Sequence, residues 1–185
     1  MKLSSFGLLL ALLSSMPPSF AAEHAIDTAQ SAITIHVGKA GLFSAAGHEH
    51  TVIAPIAEGT IDDSEPGRVR FTVKASSLTV QPEKDQAEVQ RDMQTKVLES
   101  ERYPEIRFES TSVRRLSDER WTVAGNLTLH GATNPVTAEV RKTGAGFEGQ
   151  ASLRQSQFGI KPVSAAGGAV RVKDELKIEF LLREK

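Results

Sequence analysis

Six stretches of this chain alternate apolar and polar residues strictly, and nothing else in the sequence constrains the fold as tightly. Ile33, Ile35 and Val37 alternate with Thr34 and His36, and Val69, Phe71, Val73 and Ala75 with Arg70, Thr72 and Lys74. Ile106 and Phe108 stand between Glu105, Arg107 and Glu109. Trp121, Val123, Leu127 and Leu129 continue the pattern, as do Val136, Ala138 and Val140, and then Leu176, Ile178, Phe180 and Leu182. A period of two puts the apolar residues on one face, the mark of an antiparallel strand wet on the other side. Weaker strands are expected near residues 50–62, 147–156 and 168–173. Roughly eight or nine short strands in sequence predict an all-β sandwich or barrel. Turn-forming clusters separate them, such as Glu65-Pro66-Gly67, Gly131 to Pro135, Thr143 to Gly146, and Ala166-Gly167-Gly168.

One segment breaks this rhythm. Between Pro82 and Leu98, Val89, Met93 and Val97 fall four apart and share one helical face. A single amphipathic helix is expected there, lying across one end or side of the sheet, with Met93 as core filler. Adjacent helical positions point apart, which argues against an Arg91–Asp92 pair.

Residues 1–21 read as a secretory signal peptide. Lys2 precedes an apolar run centred on Leu8 to Leu13, and Ser19 and Ala21 are small residues before a cut. The run is shorter than the roughly 20 residues a spanning helix needs, and Pro17 and Pro18 break it. Residues 22–185 then form one domain of ample size for a core. The chain has no cysteine, which excludes thiolate metal or redox chemistry. Its formal charge of −1, without a clustered basic face, gives no footprint for nucleic acid.

Four motifs in order point to a family. Tyr103-Pro104-Glu105-Ile106-Arg107-Phe108-Glu109-Ser110-Thr111 resembles the YP-x-I-x-F-x-ST signature of YceI-like proteins. Val123 to Val136 resembles their V-x-G-x-LT-x-x-G-x-T-x-PV signature, and Gln155 to Ile160 resembles their RSDFGI. Arg91-Asp92 with Val97-Leu98 resembles the helix before the YP motif. The resemblance runs from about Ile26 to the C-terminus and implies a lipocalin-like antiparallel barrel of about eight strands. It further implies a periplasmic binder of polyisoprenoid chains, such as quinones or prenyl carriers, with transient contact to a membrane or membrane protein. No cofactor is required under this reading; a bound isoprenoid lipid is the expected partner. The sequence departs from the family where Gln155 and Gln157 replace Arg and Asp, and where a longer stretch, Gly41 to His50, replaces a short loop.

Under that reading Ile35, Val37, Phe71, Val73, Phe108, Val123, Leu127, Ile178 and Phe180 line the lumen. His48, His50, Gln155 and Gln157 form a rim that meets a polar head group. His48 and His50 are two apart, so on a strand they share a side. With His36 as a third ligand they offer an alternative reading, a metal-binding protein or metal-dependent small hydrolase. An interaction module is a third reading. No catalytic residues are assigned: Gly-x-Ser-x-Gly and a glycine-rich phosphate loop are missing, and His130 has no evident partner in the sequence.

Overall fold

The alternating stretches become the strands of one antiparallel sheet. The computed structural model describes residues 23–40, 50–62, 64–65, 67–81, 86–165 and 170–185. Its strands are β1 (His24–Ala25), β2 (Ala32–Ala40), β3 (His50–Ala54), β4 (Ile56–Asp62), β5 (Arg68–Lys74) and β6 (Thr79–Val80). After the helix come β7 (Glu105–Ser117), β8 (Arg120–Leu129), β9 (Ala132–Thr143), β10 (Gly146–Arg154), β11 (Ser164–Ala165) and β12 (Val170–Leu182). They order as β1-β4-β5-β7-β8-β9-β10-β12-β2-β3-β6, with β11 on β12. Of the stretch expected as a separate strand near 168–173, the described part, from Val170 on, enters as the start of β12. A register shift between Val172 and Leu176 marks a bulge there.

Pro55 explains why this is a barrel and not a sandwich. It has no N–H to give to a ladder, so β3 and β4 form one bent stave that changes partner at the proline. Before it, β3 pairs with β2, Val37 opposite His50 and Ile33 opposite Ala54. After it, β4 pairs with β5, Ile56 opposite Val73. Hydrogen bonding therefore runs round the sheet from β4 to β3, and the bent stave brings the two together in a curled, lipocalin-like barrel. With the bent stave counted once, eight long staves are described, as the resemblance implies. The chain ends seal one rim: Asp27 N–H donates to Arg183 O and Lys185 N–H to Ala25 O.

The helical segment is α1 (Gln86–Asp92), continued by a widened π turn over Met93–Val97. Leu98 N–H closes that turn on Met93 O at 2.9 Å, five residues back. The expected helix start, residues 82–85, lies outside the described residues. Val89, Met93 and Val97 face the core as their spacing predicts. Asp92 pairs with Lys96 at 2.9 Å. The flexible Arg91 side chain also folds back to 3.8 Å from Asp92, a contact that the rule for adjacent positions argues against. Among the described residues no helix is long and apolar enough to cross a membrane.

Candidate functional site

Register places the apolar faces opposite one another inside the barrel. Ile35 faces Ile178 and Val37 faces Leu176 between β2 and β12. Phe71 faces Phe108 between β5 and β7, and their rings stack at 5.4 Å. Phe108 in turn faces Leu127, and Val123 faces Ala138. If these side chains met across the middle, all would be buried. They are not: Val73 is 2% exposed, yet Ile35, Val37, Phe71, Ile178 and Phe180 keep partial exposure while pointing inward. An inward side chain that still shows surface faces a void.

That void measures about 1240 Å³. It exceeds the roughly 300–1,000 Å³ typical of small-ligand pockets and equals the volume of about 40 waters. All nine residues expected in the lumen line it. Polar groups collect toward its two ends. Lys39, His50 and Asp92 stand at the end where β2 finishes and β3 begins. Asp62, Arg68 and Arg115 stand at the opposite end, by the β4–β5 and β7–β8 turns.

The four expected rim residues separate. His50 is half-buried and lines the cavity, and Gln155 is 6% exposed and also reaches its wall. Gln157 is exposed; its Oε1 accepts from Arg154 N–H, and its backbone carbonyl accepts from Asn134 Nδ2. His48 lies outside the described residues, with the rest of 41–49. The two glutamines that depart from the family motif act on the backbone. Gln155 Nε2 donates at 2.9 Å to Lys173 O, inside the β12 bulge where the ladder leaves carbonyls unpaired. The next residue of the bulge, Asp174, accepts from Ser156 N–H and Oγ–H at 2.8 and 2.6 Å. The hydroxyl bond, then the amide bond, hold the Asp174 carboxyl below its ordinary value of 3.8.

Of the three histidines of the metal reading, the two described ones are not brought together. His36 pairs with Thr51, one register position from the Val37–His50 pair, so His36 and His50 point to opposite faces of the wall. His36 Nε2 instead meets Glu179 on the outside at 3.4 Å. Among the described residues no three groups suited to a metal cluster together.

His130 has a partner that sequence reasoning missed. Its Nε2 lies 3.1 Å from Glu99 Oε1, its Nδ1 lies 3.2 Å from Phe158 O, and Tyr103 packs on its ring at 4.4 Å. Glu99 and His130 both take left-handed backbone, φ 45° and 51°. The cluster joins the end of the helical segment to the β8–β9 turn. Two like-handed turn residues in separate motifs gave no sequence signal that they would meet.

A curled antiparallel barrel with an apolar internal chamber and, among the described residues, one amphipathic helical segment on its side defines a lipocalin-like barrel protein. The chain matches the YceI-like domain over residues 24–183 and belongs to that family. It is 32% identical over 108 residues to a UPF0312 protein of Pseudomonas savastanoi pv. phaseolicola, a match covering 52% of this chain and 54% of that one. A UPF0312 protein of Pseudomonas aeruginosa is 35% identical over 117 residues, covering 55% and 58%. The chain thus spans little more than half the length of the curated relatives it matches. Burkholderia cenocepacia BcnA shares the fold with a TM-score of 0.63 at 19% identity, over 85% of this chain and 98% of that one. A polyisoprenoid binding domain from Saccharophagus degradans, implicated in plant cell wall breakdown, matches with a TM-score of 0.62 at 12% identity, over 86% and 95%.

Proposed function

We propose that this protein binds and carries a polyisoprenoid-type lipid, a quinone or prenyl chain, in the barrel lumen. It is exported to the periplasm after loss of residues 1–21 and has no catalytic role. The observation that carries the reading is the ring of inward yet partly exposed apolar residues around a chamber of about 1240 Å³. A chamber of that size with such walls is a poor container for water and a good one for a slender apolar chain. The polar head lies at the end marked by Lys39 and His50.

Magnitudes decide what kind of binder this is. Burying a prenyl chain from water at about 0.8 kcal/mol per CH₂ yields tens of kcal/mol. Affinities saturate near about 18–21 kcal/mol. The lipid therefore comes from a membrane, where its chain is already out of water, and the net gain on extraction is small. That favours exchange with a membrane over tight storage.

The test is transfer. Delipidated protein is mixed with phosphatidylcholine vesicles carrying a long-chain quinone and re-isolated. Stoichiometric quinone absorbance in the protein fraction is expected; its absence, with the barrel intact by circular dichroism, rules the carrier reading out. N-terminal sequencing of the native protein should begin at Ala22 or Glu23, and a retained apolar leader would overturn export as a cleaved protein.

A further inference from the structure

A seven-residue helix is too short to hold itself together in water, and α1 has no buried residue. Beside the partial packing of Val89 against the core, what fixes it is a row of glutamines. Gln86, Gln90 and Gln94 recur every four residues, so they lie along one helical face. Each grips the same short strip of backbone. Gln86 Nε2 donates to Val80 O at 2.7 Å. Gln90 both accepts from Val80 N–H and donates to Leu78 O, each at 2.8 Å. Gln94 Nε2 donates to Ala75 O and Leu78 O at 3.1 Å. On its other side β6 pairs with β3. Three side-chain amides thus occupy the outer edge of the sheet where a further strand would pair.

The helix covers the chamber as well. Val89, Met93 and Val97 form part of its wall, beside Leu78 and Val80 from the gripped strip. The far end of the segment is fixed differently. Leu98 is buried, and Glu99 is held by His130, which is itself held by Phe158 O and Tyr103. One end is therefore clasped by neutral amide bonds and the other is anchored into the barrel end.

We propose that the segment 86–97 is a side gate of the chamber: it swings out from the Ala75–Val80 strip about the Glu99–His130 anchor and admits an apolar chain laterally. Opening exchanges neutral amide bonds for bonds to water, so little is lost on the polar side. The backbone groups of the strip meet solvent rather than being orphaned. The barrel ladders are not touched. A long flexible chain then enters sideways, without being threaded along the barrel axis past the charged ends. That passage rests on the lipid reading; the gate itself does not.

Two measurements test it on the full chain. Hydrogen exchange by mass spectrometry should show residues 86–98 exchanging at least about tenfold faster than β7 to β9, with a further rise in the variant Gln86→Ala/Gln90→Ala/Gln94→Ala confined to 75–98. If the segment exchanges together with the strands, or if the variant loosens the whole barrel evenly, there is no gate. In stopped flow with dansyl-labelled geranylgeraniol, the triple variant should take up and release the probe about tenfold faster, with its equilibrium constant changed less than about threefold. Unchanged rates in a variant that binds the probe overturn lateral entry. A wild-type protein that binds no probe sinks the lipid reading, and the exchange experiment still decides the gate.

Discussion

Phe180 on β12 lies flat across Gly149 on β10, its direct ladder partner: a Cβ at Gly149 would stand 2.3 Å from Phe180 Cζ. Gly125 on β8, diagonal to Phe108 on β7, receives that ring at 2.5 Å. Two of the largest inward side chains therefore fold back onto the wall instead of filling the middle. The missing side chains of two glycines become open volume at the centre of the barrel.

Giving Gly149 a side chain should close that volume. In Gly149→Ala the Phe180 ring must leave the wall for the lumen, and the β9–β10 ladder must also give, because the new Cβ would stand 2.5 Å from Glu139 O. The barrel is expected to stay folded, with a stability change within about 1–3 kcal/mol, while lipid occupancy falls about tenfold, the equivalent of 1.4 kcal/mol in binding. Circular dichroism and quinone content of the re-isolated protein read the two effects separately. Full occupancy in this variant would show that Phe180 does not set the width of the chamber.

Enlargement from the wall should act alike at positions that keep surface toward the void. Ile35→Phe and Ile178→Phe project into the chamber and should lower occupancy at near-native stability. Val73→Phe should instead destabilise by about 1–3 kcal/mol, because Val73 is 2% exposed and shows the chamber almost none of its surface. Urea melts of the three variants, set beside their lipid content, check the contrast between open and packed wall.

That contrast also marks what the sequence could convey. Alternation at Ile33 to Val37, Val69 to Val73 and Leu176 to Leu182 placed the staves and their inner face, because period two is a local property. It states which side a residue takes and is silent on whether the opposite wall touches it. The two glycines were a readable hint, since a lone glycine in a strand marks a close approach, but naming Phe180 and Phe108 as the visitors needed the register. His36 shows the reverse. Its even position between Ile35 and Val37 already pointed it outward, away from His50, and the metal triad overlooked that. The glutamine grip and the Glu99–His130 contact join segments distant in sequence through single side chains, and no periodicity announces them.

Gln155 is expected to hold the β12 bulge. Gln155→Leu keeps a side chain of similar length but leaves the Lys173 carbonyl without its donor. A loss of about 1–3 kcal/mol is expected by urea denaturation, with hydrogen-exchange protection falling at the start of β12 and holding in β7 to β9. An unchanged melt would mean that water serves Lys173 O equally well.

Acid should weaken the same corner. The Asp174 carboxyl is held below its ordinary value of 3.8 by the Ser156 hydroxyl and amide. A folded-state value below the unfolded one contributes stability that is complete above about pH 4 and lost as pH falls through the lowered value. Ser156→Ala and Asp174→Asn should each reduce stability near neutrality, and their deficit relative to the parent should shrink as pH falls below the ordinary 3.8 and the parent's carboxylate protonates. Thermal melts from pH 2 to 7 measure it. A deficit of constant size across that range would assign the loss to packing and not to the charge.

The central claim is that the chamber houses an isoprenoid-type chain, and native mass spectrometry of freshly purified, undenatured protein addresses it most directly. A one-to-one adduct is expected that organic extraction removes, that fragments as a polyprenyl species, and that is depleted in Gly149→Ala. A protein that flies without adduct from gentle conditions, or one whose adduct is a metal ion that chelation removes, would contradict it.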